Sequence, residues 1–143
     1  MKCGDVRFVL LDGRAQAPAR AYDGDAGFDL TVLEDTVIGR GRSVDVRTGV
    51  AIELPDGYYA RLIGRSSALR KRGVLVVEGI IDGGFRGELF SYCHNPGRRK
   101  VTLRSGVSVA QIILCPVVDP HWVESAALTD SARGTNGFGS SGR

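Results

Sequence analysis

Four short segments carry residue types suited to chemistry on an anionic ligand. The first is Gly79-Ile80-Ile81-Asp82-Gly83-Gly84-Phe85-Arg86-Gly87-Glu88, where an apolar run ends at a carboxylate amid four glycines. Glycines there let a ligand or a second backbone come close. An Asp-Gly turn would use some of the same residues, but the crowding of glycines favours a site. The second is Gly64-Arg65-Ser66-Ser67-Ala68-Leu69, a bidentate donor and two hydroxyls just ahead of a helix start. Unpaired N–H groups and the helix dipole attract anions at such a place, although a serine N-cap beside a solvated arginine has the same composition. The third, Asp25-Ala26-Gly27-Phe28-Asp29-Leu30, holds a carboxylate between apolar neighbours. It suits bound water, the hydration shell of a metal ion or a turn cap. The fourth is the C-terminal stretch Arg133-Gly134-Thr135-Asn136-Gly137-Phe138-Gly139-Ser140-Ser141-Gly142. It offers backbone N–H groups and Arg133 for phosphates and Phe138 for a base, or else it is a plain flexible tail.

The motifs that would imply other chemistries are missing. There is no G-x-x-x-x-G-K-[S/T], no H-E-x-x-H and no G-x-S-x-G. His94 and His121 stand alone, which leaves too few members for a histidine triad or a histidine metal cluster.

The elements that must position these segments are short and β-rich. The runs are Val6–Leu11, Val44–Arg47, Gly49–Leu54, Tyr58–Ile63, Val74–Ile81, Glu88–His94, Lys100–Leu103 and Val109–Val118, separated by turn residues such as Pro55-Asp56-Gly57 and Asn95-Pro96-Gly97. Short strands at this spacing predict a β-sandwich or barrel. Ser66–Arg72 is the only helix expected. Residues 1–130 are expected to form one domain. Ser131–Arg143 is glycine- and serine-rich and reads as a flexible C-terminal segment. Fully extended, its thirteen residues reach ~43–47 Å, against a radius of gyration of ~14–15 Å for a domain of this size. The tail is long enough to cross its own domain or to land on a neighbouring subunit.

Composition sets the outer limits. The chain has 143 residues, 43% hydrophobic and 24% charged, enough for one domain with a real core. Its formal net charge of +3 is too small to indicate a nucleic-acid binder, and neither nucleic acid nor membrane is expected as a partner. Sixteen of the nineteen basic residues are arginine. Cys3, Cys93 and Cys115 are odd in number and show no C-x-x-C spacing, so neither a disulfide framework nor a zinc site is indicated. A reducing, cytoplasmic setting is expected.

Taken in order, and with Val109-Ala110-Gln111-Ile112-Ile113, the four segments resemble the five motifs of the trimeric dUTPase family (deoxyuridine 5′-triphosphate nucleotidohydrolases). The resemblance spans Ala21 to Gly142, and its order, its spacing and the C-terminal R-G-x-x-G-F-G-S-x-G are highly specific together. It implies an all-β, jelly-roll-like barrel and a homotrimer with sites shared between subunits. It further implies Mg²⁺-assisted hydrolysis of dUTP to dUMP and pyrophosphate. By resemblance, Asp29 would hold Mg²⁺ through water. Arg65, Ser66, Ser67 and Gln111 would contact the triphosphate. Backbone groups of a Val74–Ile81 hairpin, at Val76, Gly79 and Ile81, would read the uracil edge. Asp82 would orient and deprotonate the attacking water, with Phe85 against the deoxyribose. A tail from another subunit would close the site as a lid, Phe138 over uracil and Arg133, Gly139, Ser140 and Ser141 at the phosphates.

Several positions depart from the commoner family pattern. Phe85 replaces a usual Tyr, Gly64-Arg65-Ser66-Ser67 replaces P-R-S-G, Ser108 stands where Arg is usual, and Asn136 replaces Gly. Two alternatives share the fold or the pocket. A dCTP deaminase-like enzyme would need a catalytic Glu directly before Gly87, where this chain has Arg86. A dUTP-responsive regulatory protein could use the same pocket, although the intact Asp82 and complete tail favour catalysis.

Overall fold

Alternation of buried and exposed side chains marks the central strand Glu88–His94. The inward set is Leu89, Ser91 and Cys93, while Phe90 and Tyr92 face out. The computed structural model describes residues 4–137. Among them run β1 (Arg7–Leu10), β2 (Phe28–Thr31), β3 (Thr36–Ile38), β4 (Ser43–Glu53) and β5 (Tyr58–Gly64). The helix α1 (Ser66–Arg72) follows, then β6 (Leu75–Val76), β7 (Gly79–Ile81), β8 (Glu88–His94), β9 (Val101–Leu103) and β10 (Ser108–Pro116). One four-stranded sheet has the order β1-β4-β8-β6, the other β2-β10-β5-β7, and β3 pairs with β9 as a ribbon. Every pairing is antiparallel.

The expected jelly-roll-like, all-β architecture is the one observed, built from two open sheets and a ribbon rather than a closed ring. Leu30, Ile52, Leu62, Leu89 and Ile112 fill the core at one end. Val32, Ile38, Val46, Val74 and Leu103 fill it at the other, joined by Ala68 of α1. Cys93 lies in this second core as a free thiol, and burial pushes its pKa up to about 11.

The helix has the expected bounds. Gly73 closes it in the left-handed conformation at φ 71°; its N–H donates to the Leu69 carbonyl and Val74 N–H to the Ala68 carbonyl. The strands differ from expectation in three ways. Val44–Arg47 and Gly49–Leu54 join into the single strand β4, which carries a register shift between Arg47 and Ala51. Gly49 sits at that shift with φ 70°, and its N–H donates to Glu88 Oε1 at 2.8 Å. Val74–Ile81 is no single hairpin: β6 belongs to one sheet and β7 to the other, and Val77 N–H donates to the Tyr92 carbonyl between them. Two further strands, β2 and β3, were not among the expected runs.

Asn95 joins the β3–β4 and β8–β9 loops. It is 0% exposed, and its Nδ2 donates to the carbonyls of Ile38, Gly39 and Arg99 at 2.8–3.1 Å. Its Oδ1 accepts from Gly97 N–H at 2.9 Å. Replacing it by alanine removes all four bonds, although the Gly39 carbonyl keeps the Arg42 N–H at 3.1 Å. At ~1–3 kcal/mol for a buried polar group left unpaired, and with partial rescue by water, Asn95→Ala should destabilise the fold by about 3 kcal/mol. Urea unfolding should show this as a lower midpoint with an unchanged slope.

Candidate active site

The site grows from β10, which lies between β2 and β5. Gln111 stands opposite Asp29 on one side and Ile63 on the other, so its side chain shares a face with the Asp29 carboxylate. The pairing continues past β5, where Arg65 N–H donates to the Val109 carbonyl at 2.9 Å. That bond seats Arg65 at the N-cap of α1 with extended backbone (φ −71°, ψ 152°), and no side chain caps the helix. Arg65 Nε lies 3.1 Å from Asp29 Oδ1.

These residues line a cavity of about 300 Å³ together with Asp25, Ser66 and Gly27. A side chain at Gly27 would overlap the Gln111 amide oxygen, so glycine is what leaves Gln111 its place. A larger cavity of about 560 Å³ lies around Phe8, Phe28, Ile52 and Leu114, but its lining is mostly apolar and contains none of the expected site residues. Of these two cavities the smaller combines two carboxylates, a guanidinium, a hydroxyl and an amide, which makes it the candidate site.

Burial raises the Asp29 pKa above the usual carboxylate range. The Arg65 guanidinium opposes that shift and the Asp25 carboxylate adds to it. The ionised form of Asp29 is thus under-compensated, which suits a bound cation. The described residues contain no cluster of three or more His, Cys, Asp or Glu side chains able to cage a metal. Asp29, with Asp25 on the same cavity, is the residue that could hold a divalent cation.

Asp82 lies elsewhere. It follows β7, and β7 pairs with β5 so that Ile81 opposes Ala60 and Gly79 opposes Leu62. Asp82 therefore comes level with Tyr59, whereas Arg65 follows the opposite end of β5. At ~3.3 Å per residue the two are ~20 Å apart along the strand. The turn that carries Asp82 is well held. Phe85 N–H donates to the Asp82 carbonyl at 3.0 Å. One nitrogen of Arg86 donates to the carbonyls of Gly83 and Phe85 at 2.7 and 2.9 Å, and the other lies 3.5 Å from Glu53 Oε1. The Phe85 ring rests over Gly87, where a Cβ would come within 2.6 Å of it, and 43% of Phe85 is exposed.

Val76 packs half-buried beside Gly64, while Gly79 and Ile81 lie in β7. Both β6 and β7 are edge strands, so each keeps one row of backbone groups outside the ladders. Ser67 is the second residue of α1, partly exposed. Arg133 is exposed and its Nε donates to the Asn136 carbonyl at 2.8 Å. Phe138, Gly139, Ser140 and Ser141 lie outside the described residues. Sequence reasoning missed Asp25, Gly27, Glu53 and the holding role of Arg86. Only Asp25 and Gly27 had a local signal, their proximity to Asp29.

The dUTPase family model matches residues 13–142. The chain belongs to the dUTPase family. A deoxyuridine 5′-triphosphate nucleotidohydrolase of Clostridium tetani is 37% identical over 140 residues, 96% of this chain and 97% of that protein. One of Thermobifida fusca is 42% identical over 144 residues, 97% of this chain and 80% of that protein. Among solved structures, the dUTPase of Staphylococcus bacteriophage 80alpha with dUPNHPP superposes with a TM-score of 0.91 at 25% identity, covering 97% and 99% of the two chains.

The raised pKa of Asp29 has a consequence for this dUTPase-family chain. A carboxyl whose folded pKa lies above its unfolded value contributes stability below the unfolded pKa, and that contribution is lost as pH rises through the folded pKa. Asp29→Asn removes the ionised form. Without added cation or nucleotide, its melting temperature should match the parent's below about pH 4. It should exceed the parent's at neutral pH, and calorimetry over that range checks the sign.

Proposed function

We propose that the chain hydrolyses dUTP to dUMP and pyrophosphate, in sites completed by other copies of itself. What carries the reading is the gathering of Asp29, Arg65, Ser66 and Gln111 round one polar cavity in a chain of the dUTPase family. Arg65 supplies a planar fork for phosphate oxygens. Ser66, Ser67 and Gln111 add hydrogen bonds, and Asp29 would hold Mg²⁺ through water. The bound ion would spread the negative charge of the triphosphate that repels a nucleophile. Asp82 takes a proton from water, whose oxygen attacks phosphorus as the bond between the α- and β-phosphates breaks and pyrophosphate leaves. The open edges at Val76, Gly79 and Ile81 offer backbone groups to uracil.

Geometry argues for shared sites. A base must lie within ~3 Å of the proton it removes, and the ~20 Å between Asp82 and Arg65 along β5 denies that within one copy. The C-terminal arm supports association. Val118, Trp122, Val123 and Leu128 are 81%, 87%, 74% and 92% exposed, apolar side chains with little cover in their own chain. We assign the assembly as a homotrimer, following the family resemblance. Residues 131–143 serve as its lid, with Phe138 over the base and Arg133, Gly139, Ser140 and Ser141 at the phosphates. The described residues contain no helix long and apolar enough to cross a membrane, and the nucleotide chemistry fits a cytoplasmic setting.

Asp82→Asn should keep nucleotide affinity and lose ~10²–10⁴-fold in kcat. Mixing that variant with a chain truncated after Asp130 should restore part of the activity, because some mixed trimers assemble whole sites. Pyrophosphate release that does not exceed the sum of the separate variants would refute shared sites.

Phe85 supplies sugar selection. Its ring leaves a 2′-hydroxyl no room and no partner, and burying an unpaired hydroxyl costs ~1–3 kcal/mol. Phe85→Ala should narrow the ratio of kcat/KM between dUTP and UTP, while Phe85→Tyr should leave it nearly unchanged. Equal discrimination by Phe85→Ala would return the ring to packing.

A further inference from the structure

The net charge of +3 conceals a strong asymmetry. Three segments meet at the pole beyond β3 and β9. Ile38 pairs with Val101, so the chain leaving β3 through Gly39-Arg40-Gly41-Arg42 runs beside Arg98-Arg99-Lys100 entering β9. Asn95 ties the two loops: its N–H donates to the Arg42 carbonyl and its carbonyl accepts from Gly41 N–H, both at 2.9 Å. The last turn of α1, Arg70-Lys71-Arg72, ends at Gly73, whose added Cβ would lie 3.6 Å from a Val101 methyl. β6 then starts with Leu75 opposite His94, beside Asn95.

Eight cations are thereby gathered: Arg40, Arg42, Arg70, Lys71, Arg72, Arg98, Arg99 and Lys100. All eight are exposed. Among the described residues none of them has a carboxylate within ion-pair distance, although seven other arginines do. Of nineteen basic residues in the chain, the eleven outside the pole face sixteen acidic ones, so the rest of the molecule is net acidic. Like charges held together on pinned loops repel one another and cost stability. A polyanion relieves that cost.

We propose that this pole binds double-stranded nucleic acid through its phosphate backbone. Six of the eight cations are arginine, whose fork fits phosphate. The basic segments themselves carry no aromatic side chain, and the large apolar side chains exposed beside them are two separate leucines, Leu69 and Leu75. The segments therefore lack the buried anchors that a protein interface needs. They also lack the stacking rings that grip single strands. What is left is charge on a rigid frame, which recognises duplex phosphates without reading sequence.

The test uses the full-length protein and a 20-base-pair DNA duplex, titrated by fluorescence anisotropy at several salt concentrations. The parent should bind with a Kd of ~10⁻⁴–10⁻⁶ M near physiological salt. Replacing Arg98, Arg99 and Lys100 together by serine should weaken binding more than tenfold and reduce the slope of log K against log salt by about 3. The charge-matched variant Arg7→Gln, Arg20→Gln, Arg104→Gln should weaken binding less than threefold, and both variants should hydrolyse dUTP at the parent rate. Equal loss in the two variants would reduce the effect to net charge and overturn the proposal. Equal affinity for single-stranded DNA or for polyglutamate of matched charge would overturn it as well. No duplex binding in 50 mM salt, with kcat/KM for dUTP falling in the pole variant, would assign the cations to steering of the nucleotide instead.

Discussion

Strand β10 is hydrogen-bonded on both edges, and the polar cavity depends on that double pairing. Ala110 and Ile112 are 0% and 2% exposed and pack in the core with Leu30 and Leu62. Their burial sets the register, because a slip of one residue would turn Ile112 to solvent and Gln111 into the core. With the register set, Gln111 must lie opposite Asp29, and the Val109 carbonyl must receive Arg65 N–H. The arrangement of polar groups is therefore a by-product of apolar packing one residue away on each side. The same logic explains Gly27: with Gln111 held by the sheet, the neighbouring strand has to yield the space.

Much of this was legible from residue order, and the remainder failed for identifiable reasons. The helix was readable because Arg65-Ser66 starts it and Gly73 stops it, both local signals. β2 and β3 were not among the predicted runs because polar residues break their apolar pattern, Asp29 within the first and Asp35-Thr36 where the second starts. The run Val74–Ile81 looked continuous because nothing in Val77-Glu78 marks a crossing from one sheet to the other; only the bond from Val77 N–H to Tyr92 reveals it. Asp29, Arg65, Ser66 and Gln111 were readable as residue types, and the structure brings these four together. That Asp82 lies apart from them could not be read, since it follows from the pairing of Ile81 with Ala60. Arg86 could be read only as a missing carboxylate, because its partner Glu53 is distant in sequence.

Two regions hold charge at a cost. Asp29 is partly buried, and the Arg65 guanidinium does not fully offset the loss of water. Among the described residues the eight cations of the basic pole have no ion pair, although Arg47 joins Glu34 and Glu88 and Arg14 joins Asp12 on other faces. The chain plainly has acids to spare for pairing and does not spend them at the pole. In both regions neighbouring elements are well tied: Arg65 N–H to Val109 near the carboxylate, and the four bonds of the buried Asn95 side chain near the cations. Rigid placement of uncompensated charge means the field is present before a ligand arrives, so little reorganisation is needed when one binds.

A single copy of this chain also has two deficits that look unrelated. Asp82 and Arg65 lie at opposite ends of β5, and the C-terminal arm leaves Trp122 and Leu128 almost bare. Soluble monomers rarely expose a row of large apolar side chains without a partner for them. Under the proposed trimer, further copies would answer both at once, a neighbour covering the arm and bringing its own Asp82 turn to a foreign cavity. In such an assembly, the reach of the arm and the ~20 Å gap along β5 become a single design constraint. The strand that separates two catalytic groups within one chain is the spacer that lets them meet across two. The turn around Asp82 then has to be stiff in isolation, because it must arrive preformed, and the fastening of Gly83 and Phe85 by Arg86 and Glu53 supplies that stiffness.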